Sequence, residues 1–98
     1  MNQVMVRYKV KADQAARNEE LVKRVYEELH QTAPAGLHYA TFVQEDGVSF
    51  VHVVIEHDVD DPDSLQAVPA FQAFVAGIAD RCDIPPVAMG ATIVGGYR

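Results

Sequence analysis

The sequence contains no tryptophan and a single cysteine, Cys82. One thiol excludes an internal disulfide framework and suits a reducing cytoplasm. Basic residues are also scarce, with eight Lys and Arg against fourteen Asp and Glu and a net charge of −6. Nucleic acids and anionic membranes are poor partners for such a chain, because both call for a basic face. No apolar run approaches the ~18 residues that a membrane span requires. The opening "MNQVMVRYKV" alternates and soon carries Arg7, Lys9 and Lys11, so it lacks the continuous apolar core of a signal peptide. Internal repeats, low-complexity tracts and linkers are absent as well. These absences together predict a soluble, cytoplasmic, single-domain protein spanning residues 1–98.

What is present fits one globular unit: 49% hydrophobic and 22% charged residues over 98 positions. A chain this short buries only about 60–65% of its unfolded surface, so its core is thin and a second subunit would reinforce it.

Periodicity divides the chain. Val4, Val6, Tyr8 and Val10 alternate with Met5, Arg7, Lys9 and Lys11, which marks a strand. "ADQAARNEELVKRVYEELHQTAP" then shifts to helical spacing through Asn18, Val22, Val25 and Leu29, with Leu21 and Tyr26 beside them. Asp13 is the expected cap, and Pro34 and Gly36 the expected stop. In "GLHYATFVQEDGVSFVHVVIEHD" two apolar runs flank Asp46-Gly47, which predicts a hairpin with a type I′ turn. That turn sets Thr41 opposite His52, Tyr39 opposite Val54 and His38 opposite Ile55. "DVDDPDS" reads as a solvated loop ending at a cap, Asp63 or Ser64. A helix beginning in earnest near Pro69 is expected to bury Phe71, Phe74, Val75, Ile78 and Cys82. "DIPP" should break it before a last strand, "VAMGATIVGGYR".

The order strand, helix, strand, strand, helix, strand is the ferredoxin-like βαββαβ unit of the α+β class, a four-stranded antiparallel sheet with two helices on one face. One hairpin face carries Leu37, Tyr39, Thr41, Val43, Val48, Phe50, His52 and Val54; the other carries His38, Ala40, Phe42, Val51, Val53, Ile55 and His57. Both are mainly apolar, yet two helices cover only one. Burial against an identical sheet resolves the mismatch and predicts a homodimer.

From "VMVRYKV" through "GLHYATFVQEDGVSFVHV" to the closing "GGYR", the chain resembles the dimeric α/β-barrel superfamily, and within it the small proteins grouped with antibiotic biosynthesis monooxygenases. The resemblance rests on element order, size and hairpin. It implies sheet-to-sheet dimerisation and a ligand cavity between sheet and helices. The activities it brings include cofactor-independent oxygenation of polyketide quinols, haem breakdown and polyketide cyclisation. Oxygenases and haem-degrading members commonly use a Trp with an Asn. Here Trp is absent, and Asn2 and Asn18 fall outside the central strands, so none of that set carries over.

Candidate chemistry therefore comes from the residues themselves. Tyr39, Thr41 and His52 share one hairpin face, where a neutral imidazole beside a phenol could accept a proton and steady an oxyanion. His52 and Tyr39 are the expected catalytic pair, with His52 the proton acceptor. Arg7, Tyr8, Thr41, Phe50, Phe71 and Phe74 are the expected substrate-binding set, for a small hydrophobic ligand. The plain alternative is a core histidine satisfied by Thr41 or Tyr39. His38 and His57 with Glu56 or Asp58 match no defined metal spacing, and "DVDDPD" lacks the glycine and glutamate of a calcium loop, so neither metal nor cofactor is expected. Cys82 reads as packing. The expectation is a cofactor-independent monooxygenase-like enzyme for a small aromatic or polyketide-like compound. Cyclase or isomerase chemistry, and a non-catalytic binding or structural dimer, stand as alternatives.

Overall fold

A computed structural model describes residues 2–56 and 65–97. The elements are β1 (Asn2–Val10), a 3-10 turn (Ala12–Gln14), α1 (Ala15–Thr32), β2 (Leu37–Val43), β3 (Ser49–Glu56), α2 (Pro69–Ala76), α3 (Ile78–Arg81) and β4 (Cys82–Gly90). The four strands form one antiparallel sheet in the order β2-β3-β1-β4. This is the expected α+β, ferredoxin-like arrangement.

The hairpin register is the predicted one: Thr41 faces His52, Tyr39 faces Val54 and His38 faces Ile55. The turn type is not. Only Gly47, at φ 77°, takes the left-handed conformation, while Asp46 does not. Gly47 N–H donates to the Gln44 carbonyl at 2.9 Å, which makes a type I turn followed by a left-handed glycine. Asp46 serves as an acceptor instead, taking the amides of Val48 (3.0 Å) and Ser49 (2.9 Å). The Ser49 hydroxyl, which also donates to this carboxylate, and these two amides hold the carboxyl below its ordinary pKa.

Pairing across β1 and β3 settles which face meets the helices. Tyr8, Val6 and Val4 align with Phe50, His52 and Val54. The core consists of Tyr8, Val10 and Phe50 from this face, Leu21, Val22 and Val25 from α1, Leu65 from the turn before α2, and Phe74 from α2. The opposite, outer face carries Met5, Val51, Val53 and Ile55, with Phe42, Val87 and Met89 well exposed.

Four local expectations are corrected. Asp13 lies in the 3-10 turn and does not cap α1, whose N-cap Gln14 makes no side-chain bond. Ala33, at φ 44°, closes the same helix by donating its amide to the Leu29 carbonyl at 2.7 Å. The second helix does not run to Cys82: α2 ends at Gly77, α3 adds one turn, and Cys82 opens β4. Val75 is therefore 46% exposed and outside the core. "DIPP" lies inside β4, and residues 91–97 form no strand. Prolines are tolerated there because β4 is an edge strand whose pairing to β1 shifts register between Arg7 and Val10.

Pro69 begins α2 as its first helical residue, as expected. The helix has no side-chain cap of its own, and Glu28 of α1 accepts the Ala70 amide at 3.0 Å, tying the two helices together. The Asp63 and Ser64 caps, the acidic loop and His57 lie outside the described residues.

Candidate functional site

His52 sits midway along β3 on the helix-facing side and is only 3% exposed. Its ring packs against Tyr8 (5.3 Å between centroids), Phe74 (5.3 Å) and Tyr39 (5.7 Å). Both ring nitrogens are engaged. Nε2 lies 2.7 Å from the Tyr8 hydroxyl, while Nδ1 lies 2.6 Å from the Tyr39 hydroxyl and 3.1 Å from Thr41 Oγ1. Thr41 Oγ1 in turn bonds the Tyr26 hydroxyl at 2.7 Å.

The chain of bonds continues away from the hairpin. Asn18, fully buried on α1, donates from Nδ2 to the Tyr8 oxygen at 2.9 Å. Arg81, 7% exposed at the end of α3, donates from Nε to Asn18 Oδ1 at 3.1 Å and from a terminal nitrogen to the Phe74 carbonyl at 2.6 Å. Its guanidinium lies 5.3 Å from the centre of the Phe74 ring. Among the described residues these partners are all neutral, so the cation is held by dipoles and a ring face, not by a carboxylate. Gly77 leaves room for it: a Cβ there would sit 3.0 Å from Arg81 Nη1.

Burial governs the charge states. It lowers the His52 pKa to about 4, so the imidazole is neutral at pH 7. Burial also raises the phenols of Tyr8, Tyr39 and Tyr26 above their ordinary value, which keeps them protonated as donors. Arg81 is lowered by desolvation, but a guanidinium starts so high that it stays charged.

The line of polar groups ends at space. Tyr26 and Tyr39 stack at 5.2 Å and both border a cavity of about 210 Å³ with Leu29, His30, Ala33, Pro34 and Leu37. On the other side, Tyr26 and Thr41 border a hollow of about 320 Å³ with Val22 and Val43. His52 borders neither. It stands one residue behind the wall.

Of the residues singled out from sequence, Tyr8, Tyr39, Thr41 and His52 come together in this one cluster. Phe74 covers His52, Phe50 stacks flat on Tyr8 at 5.5 Å, and Phe71 meets Tyr39 edge-on at 6.5 Å. Arg7 does not join them. It projects from the outer face beside Val51 and Val87 and borders another hollow of about 350 Å³ with Lys9, Ile84 and Met89, which Tyr8 and Phe50 also line. His38 is exposed on that outer face. Among the described residues no group of three His, Cys, Asp or Glu converges as a metal site would. Cys82 is half-buried at the start of β4, and burial raises its thiol pKa.

Sequence reasoning missed Asn18, Arg81 and Tyr26 as site residues. Asn18 had a legible signal, since a polar amide at a core position of an amphipathic helix must find buried partners.

No protein-family model matches the chain, and no curated protein matches it. Solved structures do. A candidate antibiotic biosynthesis monooxygenase from Bacteroides thetaiotaomicron superposes with a TM-score of 0.81 at 15% identity, over 99% of this chain and 93% of that one. Another from Nitrosomonas europaea gives a TM-score of 0.79 at 15% identity, over 97% of this chain and 100% of its own. A variant of SnoaB, a cofactor-independent oxygenase from Streptomyces nogalater, gives 0.70 at 15% identity, over 97% and 94% of the two chains. These likenesses show that the chain has the fold of the antibiotic biosynthesis monooxygenase group. No helix among the described residues is long and apolar enough to cross a membrane.

Proposed function

We propose that the protein is a cofactor-independent, monooxygenase-like enzyme acting on a small hydrophobic aromatic or polyketide-like compound. One observation carries this reading: a neutral, buried His52 bonded to Tyr39, which borders a cavity between α1 and β2 with both apolar and polar walls. Tyr39 meets the substrate oxygen, and His52 and Thr41 behind it hold the phenol in position. Phe71 lies against Tyr39, and Phe50, Phe74 and Tyr8 wall the site behind it. The substrate reacts as its enolate or phenolate, its proton released to solvent, and the quinol itself supplies the four electrons that put one atom of molecular oxygen into the product and the other into water, so the reading needs no cofactor.

The working unit in this reading is a cytoplasmic homodimer joined through the outer sheet faces. Phe42, Val87 and Met89 support that geometry, being 58%, 53% and 43% exposed in a single chain. Arg7 then belongs to the interface and not to substrate binding.

Oxygen uptake under air with a panel of quinols tests the activity. The expectation is uptake with at least one quinol, reduced about 10²- to 10³-fold in Tyr39→Phe, the usual scale for loss of an oxyanion donor. No uptake with any of them counts against oxygenation, and product change without uptake indicates cyclase or isomerase chemistry.

A second reading has its own observation. His52 is packed, with both nitrogens satisfied inside the protein, as in a structural core histidine. A non-catalytic ligand-binding or structural dimer would show thermal shifts, or none, and leave every ligand chemically intact.

A further inference from the structure

The bonds around His52 have a direction, and the direction is set at the end farthest from the cavity. A guanidinium can only donate, so the atom of Asn18 nearest Arg81 is its carbonyl oxygen and the amide NH₂ faces Tyr8. The NH₂ also only donates, so the Tyr8 oxygen accepts from it. The Tyr8 hydrogen then needs an acceptor. The one its hydroxyl reaches is Nε2 of His52, 2.7 Å away. If Nε2 carried hydrogen instead, the Tyr8 oxygen would lie between two donors and its own hydrogen would be stranded in the core. His52 is therefore protonated on Nδ1, which faces Tyr39 and Thr41.

The same count continues outward. Tyr39, Thr41 and Tyr26 each bring a hydroxyl hydrogen, and Nδ1–H brings another to their oxygens. The bond between Thr41 and Tyr26 uses one hydroxyl hydrogen. Tyr39 can turn a second toward Thr41, in which case Thr41 donates to Tyr26 and the Tyr26 hydrogen is left over. Otherwise the Tyr39 hydrogen is left over. If both phenols donated to Thr41, its oxygen would face three donors with Nδ1–H, so at least one phenolic O–H is spare, and both tyrosines border the 210 Å³ cavity with His30.

We propose that Arg81 and Asn18 are positioning residues that polarise this chain of hydrogen bonds toward the cavity, fixing the Nδ1–H form of His52 and leaving a phenol donor for a ligand's carbonyl, enolate or phenolate oxygen. The inference deepens the proposed function by naming what the cavity recognises, an acceptor oxygen on a small apolar body. It gives His52 a different part from that of a base facing substrate, since its free acceptor nitrogen points at Tyr8.

Long-range ¹H–¹⁵N correlation spectra of the ¹⁵N-labelled full chain read the form of His52 directly. The wild-type protein is expected to show Nδ1 as the protonated, pyrrole-type nitrogen and Nε2 as the bare, pyridine-type one. Asn18→Asp is the decisive variant, because it keeps the size of the side chain and still receives Arg81. A carboxylate has no hydrogen to give, so Tyr8 donates to it and accepts from His52, and the ring flips to Nε2–H. Tyr8→Phe, which removes the donor to Nε2, is expected to leave a mixture of the two forms. Titration with acetophenone and its carbonyl-free counterpart ethylbenzene, followed by chemical shift, reads the cavity end. Wild type should favour acetophenone about tenfold, the worth of one net hydrogen bond, and Asn18→Asp should lose that preference. A wild-type His52 protonated on Nε2, or a ring unmoved in Asn18→Asp, overturns the proposal. Equal binding of the two probes to wild type overturns its ligand half. Neither readout involves oxygen, so a correctly polarised chain that consumes none would defeat the oxygenase reading and leave this inference standing.

Discussion

The two faces of one sheet solve opposite problems. The inner face is sealed by two helices and contains Tyr8, Tyr39, Thr41 and His52, polar groups that water no longer satisfies. Each had to find a protein partner, and the partners join into a line from Arg81 to Tyr26. The outer face carries Arg7 and His38 but is otherwise mainly apolar. Met5, Phe42, Val51, Val53, Ile55, Val87 and Met89 stand together there, and a single chain leaves several of them in water. The difference teaches where specificity resides. A hydrogen-bonded interior distinguishes one ligand or tautomer from another, whereas an apolar face only asks to be covered.

The largest effect should follow from breaking the inner line at its middle. Asn18→Leu takes away the partner that Arg81 Nε and the Tyr8 oxygen share, and although Arg81 keeps the Phe74 carbonyl and ring, the unpaired charged donor makes this loss about 3 kcal/mol in urea unfolding. A loss below about 1 kcal/mol would mean that water reaches the line and that the inner face is not sealed.

Acid should reveal the same contrast. His52 takes its proton less readily folded, at about 4, than at the ordinary value of 6.5. Between those values the unfolded chain binds the extra proton, so the stability is complete above pH 6.5 and falls as pH drops toward 4. The loss is roughly 3 kcal/mol over that window. Urea midpoints at pH 7 and pH 4.5 measure it, and His52→Gln should flatten the difference. An unchanged slope in that variant would assign the acid sensitivity to other groups.

Glycines give a finer comparison. Ala at position 77 crowds the Arg81 guanidinium and should cost about 1 kcal/mol. Ala at position 90, where nothing lies within 4 Å, should stay within about 0.5 kcal/mol. Equal costs would show that Arg81 has room to move.

Much of this was legible in the residues. The position of Asp46-Gly47 between two apolar runs is enough to set the hairpin register, and that register alone places Tyr39, Thr41 and His52 on one face. The turn type was misjudged because Asp-Gly suits two turns of equal register, and the Asp46 bonds to Val48 and Ser49 select the one with a single left-handed residue. The end of the second helix was misjudged because prolines usually stop strands, and only an edge position lets Pro85 and Pro86 stay in one. Arg81 is hidden for the same reason: inside a helix expected to run to Cys82, a lone cation gives no sign of turning inward. Asn18 was counted into the helical stripe without asking what its amide would bond. The line from Arg81 to His52 spans residues far apart in sequence, and no local pattern joins them.

Smallest in its effect on the fold, yet largest in its effect on assembly, is a charge placed mid-sheet on the outer face. Val53→Lys should alter protomer stability by about 0.5 kcal/mol and abolish association. Sedimentation velocity at micromolar concentration is the most direct test of the claim that the two faces divide the work. The account predicts a wild-type particle of twice the 10.8 kDa chain mass and a Val53→Lys particle of one. A wild-type protein that sediments as a single chain would contradict it.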